Sequence, residues 1–167
     1  MIFSLGLVPE IINPKPSLSA ENIRFVYGPL NCSLSVKSLE IYAKTGEITS
    51  EFRFYTKFLD KQTLSQLRHW LQKRFDSNHV EIHRYTRTPE GELMLQELGG
   101  VLKTHSKRNG FYALRSALVQ ASAKEEGWTV IDVINKFPTE HVEINTGDLF
   151  KLEKFWQEKE AVANNQQ

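Results

Sequence analysis

The chain has 167 residues, 40% of them hydrophobic and 25% charged, and its 21 basic against 20 acidic side chains leave a formal net charge of +1. That balance excludes a largely disordered, collagen-like or low-complexity chain, and it supplies no strong positive field to draw in nucleic-acid phosphates. Cys32 is the single cysteine, so an internal disulfide and a cysteine-rich zinc site are both excluded. No stretch approaches the roughly 20 apolar residues of a membrane-spanning helix, so no membrane span is expected.

Met1-Ile-Phe-Ser-Leu-Gly-Leu-Val8 has the look of a signal h-region stub, and Ser17-Leu-Ser-Ala20 that of a small-residue cleavage site. No basic segment precedes the stub, and Glu10, Pro14, Lys15 and Pro16 interrupt the space between, so residues 1–20 read as an extended leader outside the fold. With Met1 as the true start the protein is expected in the cytoplasm; a truncated signal peptide would make it exported or periplasmic.

Beyond the leader, Ile23, Phe25 and Tyr27 alternate with Arg24 and Val26, which predicts a half-buried strand closed by Gly28-Pro29. Cys32, Leu34 and Val36 alternate again and complete a hairpin across Gly28 to Asn31. A helix follows, with Ser35 as N-cap, Leu39 and Tyr42/Ala43 on one face and Gly46 as its C-terminal punctuation. A second short helix after Ser50 carries Phe52, Tyr55 and Phe58/Leu59. The clearest helical stripe is Leu64, Leu67, Leu71 and Phe75, capped by Asp60. Thr88-Pro89-Glu90 starts another helix through Leu95, Leu98 and Val101/Leu102, with Gly99-Gly100 expected to break or bend it.

Asn109-Gly110 is expected to cap the most core-like helix, in which Phe111, Leu114, Leu118 and Ala121 form one stripe and Ala113, Ala117 and Ala121 a small-residue strip suited to close helix packing. Gly127 is expected to end it. Thr129 and Asp132 then form a capping pair for a short helix ending at Phe137-Pro138, and Val142 and Ile144 predict a third strand that joins the hairpin. Leu149, Leu152, Phe155 and Trp156 return to helical spacing before a polar tail. The expected architecture is therefore mainly α, of α+β class. A helical domain over residues 21–146 with about five to seven helices carries a small sheet from the hairpin and the late strand, and residues 147–167 form a C-terminal helix and frayed tail.

The first chemical constellation is His79-Val-Glu-Ile-His83. Two histidines four apart share a helical face, while a strand would align His79, Glu81 and His83. The spacing is not that of the metalloprotease motif and no cysteine or acidic cluster completes a shell, so a solvated polar face is preferred over a metal site. Cys32, on a short strand with no electropositive helix end nearby, reads as a core cysteine and not a nucleophile.

The Gly-x-Ser-x-Gly elbow of serine hydrolases is absent, and Gly99-Gly100 matches neither a P-loop nor a dinucleotide fingerprint. Lys103, His105, Lys107 and Arg108, with Arg84 and Arg87 upstream, read as a solvated basic loop. Arg115 lies in the small, apolar helix, where its charge needs a partner. A structural ion pair with Glu40 or Glu97 is the plain reading, and recognition of an anion or a partner the sharper one.

Four segments together resemble a known arrangement: Glu21-Asn-Ile-Arg-Phe-Val-Tyr-Gly-Pro-Leu30, Ser38-Leu-Glu-Ile-Tyr-Ala-Lys-Thr-Gly46, Leu67-Arg-His-Trp-Leu-Gln-Lys-Arg-Phe-Asp76 and Asn109-Gly-Phe-Tyr-Ala-Leu-Arg-Ser-Ala-Leu118. Thr88-Pro-Glu-Gly-Glu92, Glu126-Gly-Trp-Thr129 and Phe137-Pro-Thr139 continue the match in order. The chain resembles the cyanobacterial domain of unknown function 1400, found ahead of alpha/beta-hydrolase catalytic domains. The resemblance implies a mostly helical accessory domain from a photosynthetic bacterium and supplies no catalytic residue.

The residues after Asn145 are too few for the catalytic domain. The expected function is thus a non-enzymatic accessory, regulatory or interaction module, with an alpha/beta hydrolase or another protein as partner in trans, and with no cofactor, metal site or nucleic-acid partner. The stripe of Leu149, Phe150, Leu152, Phe155 and Trp156 is the expected docking element, since it lies where a fused domain would begin. The competing expectations are a carrier of lipid-like small ligands in a cavity between helices and a small metal-dependent hydrolase built on His79, Glu81 and His83, or on Arg115.

Overall fold

The structure, a computed structural model, describes residues 19–27, 30–57, 59–104, 110–145 and 148. The chain enters as the hairpin β1 (Asn22–Tyr27) and β2 (Leu30–Ser35), in which Ile23 faces Leu34 and Phe25 faces Cys32. Three helices follow: α1 (Val36–Thr45), α2 (Ser50–Thr56) and α3 (Lys61–Gln72). α1 begins where the sequence places it, because the Ser35 side chain accepts the Ser38 N–H, and it ends at Gly46, whose φ of 77° is left-handed. The Asp60 side chain likewise caps α3 by accepting the Thr63 N–H at 2.7 Å.

α3 stops earlier than its stripe. Lys73 turns extended, and Phe75 leaves the helix to exchange two backbone hydrogen bonds with Trp128, at 2.8 and 3.0 Å. The side chain expected to continue the helical face therefore belongs to a bridge between distant loops. Next come α4 (His79–Tyr85), α5 (Pro89–Val101) and a short strand β3 (Leu102–Thr104). Gly99 and Gly100 do not break α5, which runs through them to Val101. The Gly99 carbonyl instead accepts the Gly110 N–H at 2.8 Å, so α5 and the next helix meet closely there.

α6 (Phe111–Ala121), α7 (Val130–Asn135) and β4 (His141–Asn145) complete the described elements. α6 ends at Ala121 and not at Gly127, whose φ of 83° serves the turn before Trp128. The Thr129 and Asp132 capping box forms as the spacing predicts.

The four strands lie in the order β2-β1-β4-β3, with β1 and β4 parallel and the other neighbours antiparallel. β3, at one edge, is the strand that hydrophobic alternation did not reveal. The fold is mainly helical, as expected, with a small sheet.

The core has two parts. One gathers Leu95, Leu114, Ala117, Ala121, Trp128, Phe137 and Val142, and the other Ile23, Leu34, Leu39, Tyr42, Phe52 and Leu71. Ile134 and Ile144 pack against both and join them. Ala20, grouped with the leader by sequence, is 1% exposed and packs in the first of these. α6, with its small Ala117 fully buried, packs against α4, α5 and α7, which bears out its central position.

Candidate functional site

The candidate residues named from sequence fall in separate places. His79, Glu81 and His83 lie on α4, all exposed. The Glu81 carboxylate accepts the Asn78 backbone N–H at 3.0 Å, while the Asn78 side chain accepts the Glu81 N–H at 3.1 Å. Glu81 is thus one half of a capping box, which explains its place in the sequence by helix initiation. Among the described residues no group of three or more histidine, cysteine, aspartate or glutamate side chains is arranged to hold a metal ion. Cys32 is half-buried on β2 and free.

Arg115 finds neither Glu40 nor Glu97. α6 runs back along α5 from the Gly110–Gly99 contact, so one turn later Arg115 is opposite the start of α5, where Glu92 lies at 3.2 Å. Its guanidinium also donates to the Thr86 carbonyl at 2.7 Å and sits 4.7 Å from the Phe111 ring centroid. A cation at the end of α4 is thereby held against an orphan helix carbonyl. Glu40 instead accepts from the Asn135 side chain at 3.0 Å. Of the basic cluster, Lys103 lies 3.8 Å from Asp148, and residues 105–109 lie outside the described residues. So do Leu149, Phe150, Leu152, Phe155 and Trp156.

Ser35 is the serine at a strand-to-helix junction, the frame in which hydrolase nucleophiles sit. Its backbone is ordinary, with φ −69° and ψ 141°. Its hydroxyl accepts the Ser38 N–H and donates to Glu51 at 2.7 Å, and the Ser38 hydroxyl donates to the same carboxylate oxygen at 2.7 Å. Burial pushes the Glu51 carboxyl up, but the hydrogen bonds from the Ser35 and Ser38 hydroxyls and the Ser35 N–H outweigh it and hold Glu51 below its usual value. This cluster ties the start of α1 to α2.

Two clefts remain. The first, of about 370 Å³, lies between α1, α3 and α7 and mixes polar with apolar lining. Its groups are mutually engaged: Lys124 pairs with Asp132 at 3.2 Å, Gln72 donates to the Ala43 carbonyl at 2.8 Å, and Arg74 donates to the Glu126 carbonyl at 3.0 Å. Burial raises the Asp132 carboxyl, and the Thr129 hydroxyl and N–H together with Lys124 more than compensate, leaving it below the usual carboxylate range. The arrangement works as a seam between helices.

The second cleft, of about 400 Å³, is apolar, lined by Phe75, Ile82, Tyr85, Met94, Leu118 and Trp128. Phe75 stacks on Trp128 at a centroid distance of 4.6 Å and an interplanar angle of 23°. The Trp128 indole N–H donates to the Ser77 carbonyl at 2.9 Å, which fixes the ring as one wall. The polar neighbours at its edge have local backbone partners: Glu81 accepts from Asn78, and the Thr86 hydroxyl donates to the His83 carbonyl at 3.1 Å. What the cleft offers an occupant is apolar surface, with Tyr85 43% exposed at its edge and Val80 48% exposed on the same helix.

Sequence reasoning assigned Leu118 to the core stripe of α6 and Phe75 to the stripe of α3, and it singled out none of these six side chains as a site. The signal available was Trp128 directly after a glycine, an aromatic placed where the chain turns and not within a stripe.

No curated protein and no solved structure matches the chain. A family model described as an alpha/beta hydrolase of unknown function, DUF1400, matches residues 19–145, a span that takes in every element from β1 to β4, and the chain belongs to that family.

Proposed function

We propose that the protein is a non-enzymatic accessory module that binds an alpha/beta hydrolase or another protein in trans, with Leu149, Phe150, Leu152, Phe155 and Trp156 as its docking element. The observation that supports this reading is the apolar character of the cleft between α4 and α6, whose edge polar groups already have backbone partners. Exposed aromatic side chains on the helices, Trp70 at 54% and Tyr112 at 77%, add to an outer surface suited to apolar contact. Four charged groups described above, in contrast, have structural partners: Glu51 and Glu81 join helix starts, Asp132 caps α7, and Arg115 ties α4 to α5 and α6.

The test is a quantitative affinity pull-down of the tagged full chain from its own cell lysate, beside a chain carrying Phe155→Asp and Trp156→Asp. A protein recovered in near-stoichiometric amount with the first and lost with the second, and then binding the purified chain directly, is the expected result. Recovery of nothing, or equal recovery by both, refutes the reading.

A further inference from the structure

The cleft between α4 and α6 has apolar walls and a single charged side chain in its lining, Glu81, and the sign of that charge selects what it can take. We propose that it binds a small organic cation, an ammonium group on an apolar body, with the ammonium between the Glu81 carboxylate and the Tyr85 ring and the body against Trp128, Met94 and Leu118. A cleft that takes a small cation does not depend on the docking stripe above, and different measurements test the two.

The placement follows from α4. Glu81 and Tyr85 both line the cleft and stand four residues apart on this helix, so their side chains share a face one turn apart. The Glu81 Oε2 accepts the Asn78 N–H at 3.0 Å, which holds the side chain at the start of the helix. Among the described residues its Oε1 accepts no hydrogen bond and no cationic side chain pairs with it. Tyr85 is 43% exposed, and among the described residues no ring or cation stands over it. A carboxylate one turn from an open aromatic face offers an ammonium group an ion pair and a cation–π contact together.

The groups that could answer an anion are spent elsewhere. The Trp128 indole N–H donates to the Ser77 carbonyl at 2.9 Å, and the Thr86 hydroxyl to the His83 carbonyl at 3.1 Å. The Val80 and Glu81 N–H groups at the start of α4 donate to the Asn78 side chain at 3.0 and 3.1 Å. No lysine, arginine or histidine side chain lines the cleft. An anion would meet only the hydroxyls of Ser77 and Tyr85, beside a carboxylate that repels it.

Depth suits the apolar body. The volume of about 400 Å³ lies toward the lower end of small-ligand pockets, roughly 300–1,000 Å³, which is room for one substituted ring. Phe75 stacked on Trp128 at 4.6 Å makes a fixed inner wall, and the Met94 side chain adapts to the shape set against it. Lys73 stands 5.4 Å from the Phe75 ring centroid, which disfavours a second cation at that ring and leaves the Glu81 end as the seat of the charge.

Three probes with one body and different charge test the site: para-tert-butylbenzylammonium, para-tert-butylbenzyl alcohol and para-tert-butylbenzoate. Each is titrated at neutral pH into the isotope-labelled full chain while the Trp128 indole N–H resonance is followed, assigned by elimination with Trp70→Phe and Trp156→Phe. The expected result is a saturating shift with a Kd of about 1 mM for the ammonium. The alcohol should bind about tenfold more weakly, and the benzoate more weakly still. Glu81→Gln keeps an oxygen for the Asn78 N–H and removes the charge, so it should weaken the ammonium about threefold and leave the alcohol unchanged. Tyr85→Leu keeps apolar contact and removes the ring face, and should also weaken the ammonium about threefold.

Binding of the three probes without regard to charge overturns the proposal, as does tightest binding of the benzoate or an unmoved Trp128 signal at about tenfold the expected Kd. An ammonium affinity that either substitution leaves unchanged overturns it too. A Trp128 signal that moves with protein concentration alone would give the cleft to a second copy, with the same consequence. Circular dichroism of both variants should match that of the unaltered chain; should one fail to fold, the other carries the test.

Discussion

Helix α5 contains two glycines whose replacement by alanine should move stability in opposite directions. A Cβ on Gly91 would stand 2.0 Å from the Tyr85 carbonyl oxygen and 3.0 Å from the Thr86 Cα, against an ordinary contact distance of 3.4 Å or more. The atoms in the way are backbone, at the turn whose Thr86 carbonyl also holds Arg115, so neither side can yield cheaply. Overpacking of this kind costs about 1–3 kcal/mol, and contact with backbone puts Gly91→Ala near the upper end. The lower backbone entropy of alanine returns about 0.5–1 kcal/mol, leaving a net loss of about 2 kcal/mol.

Gly100 has no atom within 4 Å of the same position, so Gly100→Ala should gain the helix-propensity difference of about 0.5–1 kcal/mol. For a chain of this size, about 1 kcal/mol corresponds to about 2–4 °C in Tm. Thermal unfolding followed by circular dichroism should therefore show a fall of about 4–8 °C for Gly91→Ala and a rise of about 1–4 °C for Gly100→Ala. Shifts of the same sign, or an unchanged Gly91→Ala, would refute the close approach of α5 to the end of α4.

Thr129→Ala removes the hydroxyl that accepts the Asp132 N–H and donates to its carboxylate, and should cost about 1–2 kcal/mol in urea unfolding. Tyr42→Phe keeps the ring at 5.0 Å from Phe52 but loses the hydroxyl's hydrogen bond to the Leu64 carbonyl at 2.8 Å, for a loss of about 1 kcal/mol by the same assay. Acid should unfold the protein through its paired carboxylates. Glu51 and Asp132 titrate in the folded state below their ordinary values of 4.5 and 3.8, so their contribution is present above those values and is lost as pH falls below them. Tm should therefore drop as pH is lowered below about 4, and Asp132→Asn should flatten that drop.

The helix starts were legible because caps are local. Ser35, Asp60, Thr88 and Thr129 each bond to a backbone N–H three residues away, so a few adjacent letters determine them. One local start was passed over, the Asn78 and Glu81 capping box of α4, and the other failures below are tertiary. Phe75 continues the α3 spacing and still leaves the helix, because Trp128, far along the chain, offers both a ring and a backbone partner. Gly99 and Gly100 look like a break, yet the conformation there is helical, and Gly99 answers to the approach of Gly110. β3 has only three residues and exists because β4 lies beside it. Glu92 was passed over for Arg115 because only the antiparallel course of α5 and α6 brings the two together. The apolar cleft was illegible for the same reason: its six side chains come from separate stretches, and only Phe75 and Leu118 fall in a predicted stripe.

The family description names a hydrolase, and the topology bears on what residues 19–145 contribute to such a protein. Doubly wound hydrolase sheets place a serine where a parallel strand turns sharply into a helix. Here β2, antiparallel to β1, runs directly into α1 through Ser35. The hydroxyl at that junction caps the helix and answers Glu51, and the backbone has none of the strain that lifts a nucleophile out of a sheet. Replacing Ser35 by glycine should accordingly act on stability first: it removes hydrogen bonds to Ser38 and Glu51, and a glycine N-cap costs only a few tenths of a kcal/mol on its own. A loss of thermal stability of about 1–2 kcal/mol with partner capture intact is the outcome that fits a joint between α1 and α2. Loss of a measurable hydrolytic activity at unchanged Tm would make Ser35 a reacting group and remove the ground for treating this region as an accessory to chemistry done elsewhere.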